Sequence, residues 1–149
     1  MAGIRARAVT AEVALTTATA RTVLQILAPT NQRVLVTSWG VFFDGVSVTA
    51  EPVVVVLEKQ TTAGTGGSSL TPAKLSAGSE TLQTSALHSI TAEPTSGDLI
   101  DRIEVHPQSG FQDNLPHGRE IPVLGGQRLG IKCTAPAGVN VVAKLEFEE

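Results

Sequence analysis

The chain has 149 residues, enough for one domain that buries most of the surface its unfolded form exposes, so it needs no covalent staples. Charged residues make up 17% and the formal net charge is −3, which leaves no global field to recruit nucleic acid or anionic lipid. Cys133 is the only cysteine; it excludes an internal disulfide and a multi-cysteine zinc site, and points to folding inside a cell.

The opening segment, MAGIRARAVTAEVALTTATA, places Arg5 and Arg7 like the head of an export signal, but Glu12 and the threonines around it interrupt any apolar stretch. Residues 1–8 are therefore expected to form an N-terminal arm. No apolar run nears the ~20 residues that span a bilayer, so no membrane partner is expected. Val9, Ala11, Val13 and Leu15 alternate as one strand, and Thr22, Leu24 and Ile26 as another.

RVLVTSWGVFF (33–43) and PVVVVL (52–57) are apolar on both faces, as strands buried on both sides are. The Asp-Gly pair in FDGVSV between them predicts a tight turn and hence a central hairpin. Residues 61–97 are rich in Thr, Ser, Gly and Ala with little periodicity, which predicts a long loop-rich excursion, either functional or disordered. Within it, Thr71 before Pro72 suits the cap of one helical turn, and TLQTSALHSI holds a short strand.

Beyond the excursion, LIDRIEVH alternates with Leu99, Ile103 and Val105 inward, although Asp101 intrudes on that face. Phe111, in HPQSGFQDN, is placed in an exposed loop. RLGIKCT turns Leu129, Ile131 and Cys133 inward, with Arg128, Lys132 and Thr134 outward. In VNVVAKLEFE the inward set is Val139, Val141, Ala143, Leu145 and Phe147. Seven to nine strands and no helix periodicity predict an all-β chain: a single domain, 1–149, built as an antiparallel two-sheet β-sandwich, with the jelly roll as the expected version.

Local chemistry is thin. GTGGSS lacks the lysine and spacing of a phosphate-binding loop, and no following helix is signalled to aim its amides at an anion. His88, His106 and His117 are scattered; Asp101, Glu104, Asp113 and His117 can approach one another only through the fold, and their spacing matches no metal-ligand set. There is no G-x-S-x-G elbow, and an inward Cys133 behaves as a small hydrophobe. Aromatics are 3% of the chain, with Trp39 assigned to the core, which disfavours platforms for stacking sugars or bases.

SWGVFFDGV, PVVVVLEKQTTAGTG, TAEPTSGDLIDRIEVHPQSGF and REIPVLGGQRLGIKCTAPAGVNVVAKLEFEE together resemble small all-β virion proteins of tailed bacteriophages, the head decoration or cement proteins. The resemblance covers most of the chain from about Trp39 onward and rests on strand-and-turn texture. It implies a non-enzymatic virion structural protein without cofactors. Such a protein is made in the host cytoplasm and attached to the capsid surface through the major capsid protein, as a dimer or trimer. The expected contacts are Arg5 and Arg7 of the arm, Thr61, Thr62, Thr65, Ser68 and Ser69 of the glycine-rich tract, and Phe111. The rival readings are a receptor- or carbohydrate-binding knob of a phage tail or spike, and a small jelly-roll enzyme.

Overall fold

The computed structural model describes residues 3–45 and 51–149. Its elements are strands: β1 (Arg5–Val9), β2 (Val13–Leu15), β3 (Ala20–Leu27), β4 (Val34–Phe43), β5 (Val53–Gln60), β6 (Ser68–Leu70), β7 (Ala73–Lys74), β8 (Ser85–His88), β9 (Ser96–Val105), β10 (Gly110–Asn114), β11 (Ile121–Val123), β12 (Arg128–Thr134) and β13 (Val139–Glu148). One sheet runs β10-β4-β13-β1-β7, with β11 continuing β10 along β4 and β2 continuing β1 along β13. The other runs β6-β8-β3-β12-β5-β9. All pairings are antiparallel, and the two sheets pack face to face as the expected sandwich.

β13 shows most directly why the sequence folds this way. Its strict alternation sends Val139, Val141, Ala143, Leu145 and Phe147 into the core and keeps every intervening residue half-buried. Leu145 pairs with Trp39 and Ala143 with Val41, so β4 brings its largest side chain into the same layer. Opposite them, β12 contributes Leu129, Ile131 and Cys133, and β5 contributes Val53, Val55 and Leu57, all fully buried. Each such aliphatic or aromatic side chain stabilises the fold by about 1.5–3 kcal/mol.

Expectations change in four parts of the chain. The arm is a strand: Ala6 and Ala8 are buried, and β1 pairs along its whole length with β13 and partly with β7. Two small side chains suffice to seat it on the core, a signal too weak to recognise beside the larger Val9, which ends up outside at 42% exposure. Val9 to Leu15 is also not one strand. Thr10 intervenes with its hydroxyl oxygen accepting from the Ala143 amide at 3.0 Å, and β2 resumes pairing only at Val13.

The central hairpin is the second. β4 and β5 lie in different sheets, so the chain crosses between them. The Asp-Gly pair serves another contact: the Asp44 carboxylate accepts from the Asn140 amide at 2.9 Å, and the Gly45 amide donates to the Pro107 carbonyl at 2.8 Å. The rest of that turn, 46–50, lies outside the described residues.

Third, the 61–97 excursion is loop-rich as expected, but its short strands feed both sheets, β6 and β8 to one and β7 to the other. Its TLQTSALHSI strand is present as β8, whereas Thr71 and Pro72 form an extended crossing from β6 to β7 in place of a helical turn. The fourth change is in β9. Leu57 faces Asp101 and Glu58 faces Leu99, so a bulge at Ile100 shifts the register by one residue. Because side-chain direction has period 2, that single insertion turns Leu99 from the core to solvent, at 61% exposure.

Cys133 is inward as expected and fully buried. Desolvation, and secondarily the negative charge of Glu93, push its thiol pKa far above the ordinary range. Alkylation of the native protein at neutral pH should therefore be slower than that of the unfolded chain by on the order of a thousandfold, the scale of opening a core strand. Native labelling at the unfolded rate, followed by mass spectrometry, would contradict this placement.

Candidate interaction surfaces

The side chains expected to make contacts fall on two opposite sides of the sandwich. Since Ala6 and Ala8 point inward, Arg5 and Arg7 lie on the outer face of the seven-stranded sheet, beside β13. There both arginines meet one carboxylate: Arg5 Nη2 to Glu146 Oε1 at 2.7 Å, and Arg7 Nη2 to Glu146 Oε2 at 2.6 Å. Both are paired within the chain, sharing that one carboxylate, so they are not free cations on a mobile segment. On the same face Phe42, 40% exposed, lies against Gly110, and Lys144 Nζ sits 5.0 Å from its ring centroid.

Phe111 is not in an exposed loop. It is the second residue of β10, paired with Val41, and its ring packs 5.3 Å from Trp39 with the two planes tilted by 55°. It closes the rim of the core as one half of an aromatic pair.

The glycine-rich tract lies on the other side, over the outer face of the six-stranded sheet, where it pairs with the stretch leading into β9. Thr61 donates its amide to Thr95 O at 3.0 Å, and Thr65 exchanges backbone bonds with Thr91 and Ala92. Gly64 and Gly66 have φ of +68° and +74°, and a side chain at Gly66 would collide with the Thr91 hydroxyl. The glycines thus bring two strands of a strap into contact, with Ile90 fully buried beneath them yet separate from the main core. Thr61, Thr62, Thr65, Ser68 and Ser69 remain exposed on its surface and on the adjoining edge strand β6.

Beneath the strap lies a polar cluster that sequence reasoning missed. Gln25, Glu58 and Gln60 are buried on the outward-facing side of β3 and β5. Gln25 Nε2 donates to Gln60 Oε1 at 2.6 Å and to the Thr62 carbonyl at 3.1 Å. Gln60 Nε2 in turn donates to Thr22 Oγ1 at 3.0 Å and Glu58 Oε1 at 3.2 Å. Lys132 Nζ and Ser96 Oγ also donate to Glu58 Oε1, at 2.8 and 2.9 Å. Glu93 closes the set by accepting from the Thr22 amide and hydroxyl at 2.6 and 2.7 Å. No buried side-chain nitrogen or oxygen among the described residues lacks a partner. The available signals were Gln25 interrupting an apolar run and Gly130 interrupting the outward series of β12: the Gln60 carboxamide occupies the space a side chain at 130 would fill.

Past the strap, the same outer face is open. A cleft of about 420 Å³ is lined by Leu27 of β3, Ser69 and Leu70 of β6, Pro72, Leu82, Thr84 and Arg128, among others. Thr84 is tied to Glu149, whose Oε2 accepts from its amide and hydroxyl, each at 2.6 Å. The acidic and histidine residues considered as metal ligands do not converge. His117 pairs locally with Glu120 at 3.1 Å, and no group of three or more His, Cys, Asp or Glu among the described residues is placed to hold an ion.

No protein-family model, curated protein or solved structure matches this chain.

Two consequences are measurable. Gly130→Ala forces the Gln60 carboxamide out of its place and breaks hydrogen bonds shared by Gln25, Thr22 and Glu58, so it should cost roughly 2–4 kcal/mol by urea unfolding. A loss under about 0.5 kcal/mol would show the cluster to be unimportant to stability. Separately, hydrogen bonds from Arg7 and then Arg5 outweigh desolvation and hold the Glu146 carboxyl below its usual pKa. The stability this gives is complete above the unfolded-state pKa of about 4.3 and is lost as pH falls through the lower folded value. Glu146→Gln should therefore cost about 0.5–1 kcal/mol at pH 7 and progressively less below about pH 4. A deficit that stays constant down to about pH 2 would count against this assignment.

Proposed function

We propose that this chain is a non-enzymatic virion structural protein, a head decoration or cement protein. In this reading it binds the major capsid protein on the outside of an icosahedral phage head, as a dimer or trimer, and braces the contacts between capsomers. Its mechanism is linkage: a protein that binds the assembled shell in preference to free subunits stabilises the shell. The jelly-roll version of the sandwich belongs to the same reading, as does a location on the capsid surface.

The observation that carries it is β9. This strand ends the six-stranded sheet, and among the described residues nothing pairs with its outer edge. Its bulge presents Leu99 at 61% and Ile100 at 37% exposure beside that open backbone edge. An unpaired edge carrying apolar side chains is what strand addition by a neighbouring chain requires, with main-chain hydrogen bonds giving affinity and side chains giving selectivity. The polar residues the fold gathers elsewhere, under the strap, are engaged in structural hydrogen bonds, which favours binding over catalysis.

Cryo-electron microscopy of the particle whose genome encodes this chain tests the proposal. The expected result is density for the sandwich on the outer head surface, with the Leu99–Ile100 edge against the coat. Density confined to the tail or spike would favour the receptor-binding knob, and a particle lacking the chain altogether would overturn both.

A further inference from the structure

Three arginines are half-buried among the described residues, and two have evident partners. Arg7 holds Glu146, and Arg21 donates to the carbonyls of Ala14, Ser89 and Ile90. The third is Arg128, at the start of β12, which reaches the open cleft on the outer face of the six-stranded sheet. Among the described residues no hydrogen bond or ion pair with its guanidinium is present, and no carboxylate lines the cleft with it. Carboxylates elsewhere on this side have other neighbours: Glu58 pairs with Lys132, Glu149 accepts from Thr84, and Asp98, which lines a second cleft with Arg128, lies 4.0 Å from Lys59 Nζ.

The guanidinium of this half-buried arginine carries five donors and cannot shed its charge, so a site that leaves it unmatched favours an anion able to accept two parallel bonds. The rest of the lining narrows the choice. Leu27, Leu70, Pro72 and Leu82 supply apolar wall, while Ser69 and Thr71 supply hydroxyls. A volume of about 420 Å³ falls in the range of small-ligand sites. We propose that this cleft is a binding site for an aliphatic carboxylate, with Arg128 as its counter-ion and the leucines and proline holding the adjoining hydrocarbon. The carboxylate belongs either to a free small acid or to the C-terminal residue of a polypeptide. The site is separate from the β9 edge and stands whether or not the chain decorates a capsid.

The test is titration of the ¹⁵N-labelled full chain, followed by amide and arginine Nε–Hε resonances, with N-acetyl-leucine, its C-terminal amide, Ala-Ala-Ala-Leu and glucuronate. N-acetyl-leucine should give saturable shifts at Ser69, Leu70, the 82–87 segment and Arg128 Nε–Hε, with Kd on the order of millimolar. The amide should bind at least about tenfold more weakly, since it lacks the charge-assisted pair. Tighter binding of the peptide identifies a polypeptide terminus as the source, and equal binding identifies a free acid; both support the site. Arg128→Gln should abolish the shifts and Arg128→Lys should keep part of them. Should Arg128→Gln fail to fold, salt decides: raising sodium chloride from about 50 to about 500 mM should weaken the wild-type interaction severalfold. Equal binding of acid and amide, undiminished binding by folded Arg128→Gln, binding insensitive to salt, or no saturable shift would each overturn the proposal. Preference for glucuronate over N-acetyl-leucine would overturn its aliphatic character.

Discussion

Burying a carboxylate and two carboxamides on the outward side of a sheet is unfavourable by several kcal/mol unless their donors and acceptors are met. Glu58, Gln25 and Gln60 create that demand, and the organisation of this half of the molecule answers it. Lys132 and Ser96 satisfy Glu58, Thr22 and the Thr62 carbonyl take the amide protons, and Glu93 reaches back across the strap to Thr22. The residues supplying these partners come from β3, β5, β9, β12 and both arms of the strap. The cluster is thus a long-range constraint that fixes the 61–67 and 90–96 segments over the sheet. A purely apolar outer face would hold the strap by area alone and specify its position less sharply, because hydrophobic contact is non-directional.

The same constraint divides the outer face. Where the strap lies, glycines with positive φ let the backbones approach closely and Ile90 fills the space beneath. Where it ends, the sheet opens into the cleft beside Arg128. The opposite face of the sandwich is organised by pairwise matching: Arg5 and Arg7 share Glu146, and Lys144 rests over Phe42. A surface whose charges are already paired offers less to a partner than an unpaired backbone edge or an unmatched guanidinium. This difference separates β9 and the Arg128 cleft from Arg5 and Arg7, whereas Ser69, also expected to make contacts, lines that cleft.

Much of the architecture was legible in the sequence. Strict alternation in 139–148 and 128–134 gave both the strands and their inward residues, including Cys133, because a two-layer sandwich buries one side of each strand and period 2 records it directly. Less could be recovered where that code is broken by a single residue. Thr10 splits one apparent strand into two, and Ile100 flips Leu99 outward; neither insertion leaves a pattern distinguishable from ordinary variation in side-chain size. The arm was misread for a related reason: alanines carry so little apolar surface that a strand seated on Ala6 and Ala8 resembles a polar tail.

Composition and periodicity by themselves determined that this chain is a β-sandwich with one cysteine in its core, since those properties follow from local side-chain direction. Only the tertiary structure decided which strands are neighbours, because two runs apolar on both faces suit a hairpin as well as a crossing between sheets. It alone showed that the arginines of the first strand are already paired, and that the glycine-rich tract belongs to a strap over buried glutamines. These depend on partners 35 to 141 residues apart in the chain, such as Gln25 with Gln60 and Arg5 with Glu146. No local pattern encodes such a pairing; it exists only once the sheets have brought the two ends of the contact together.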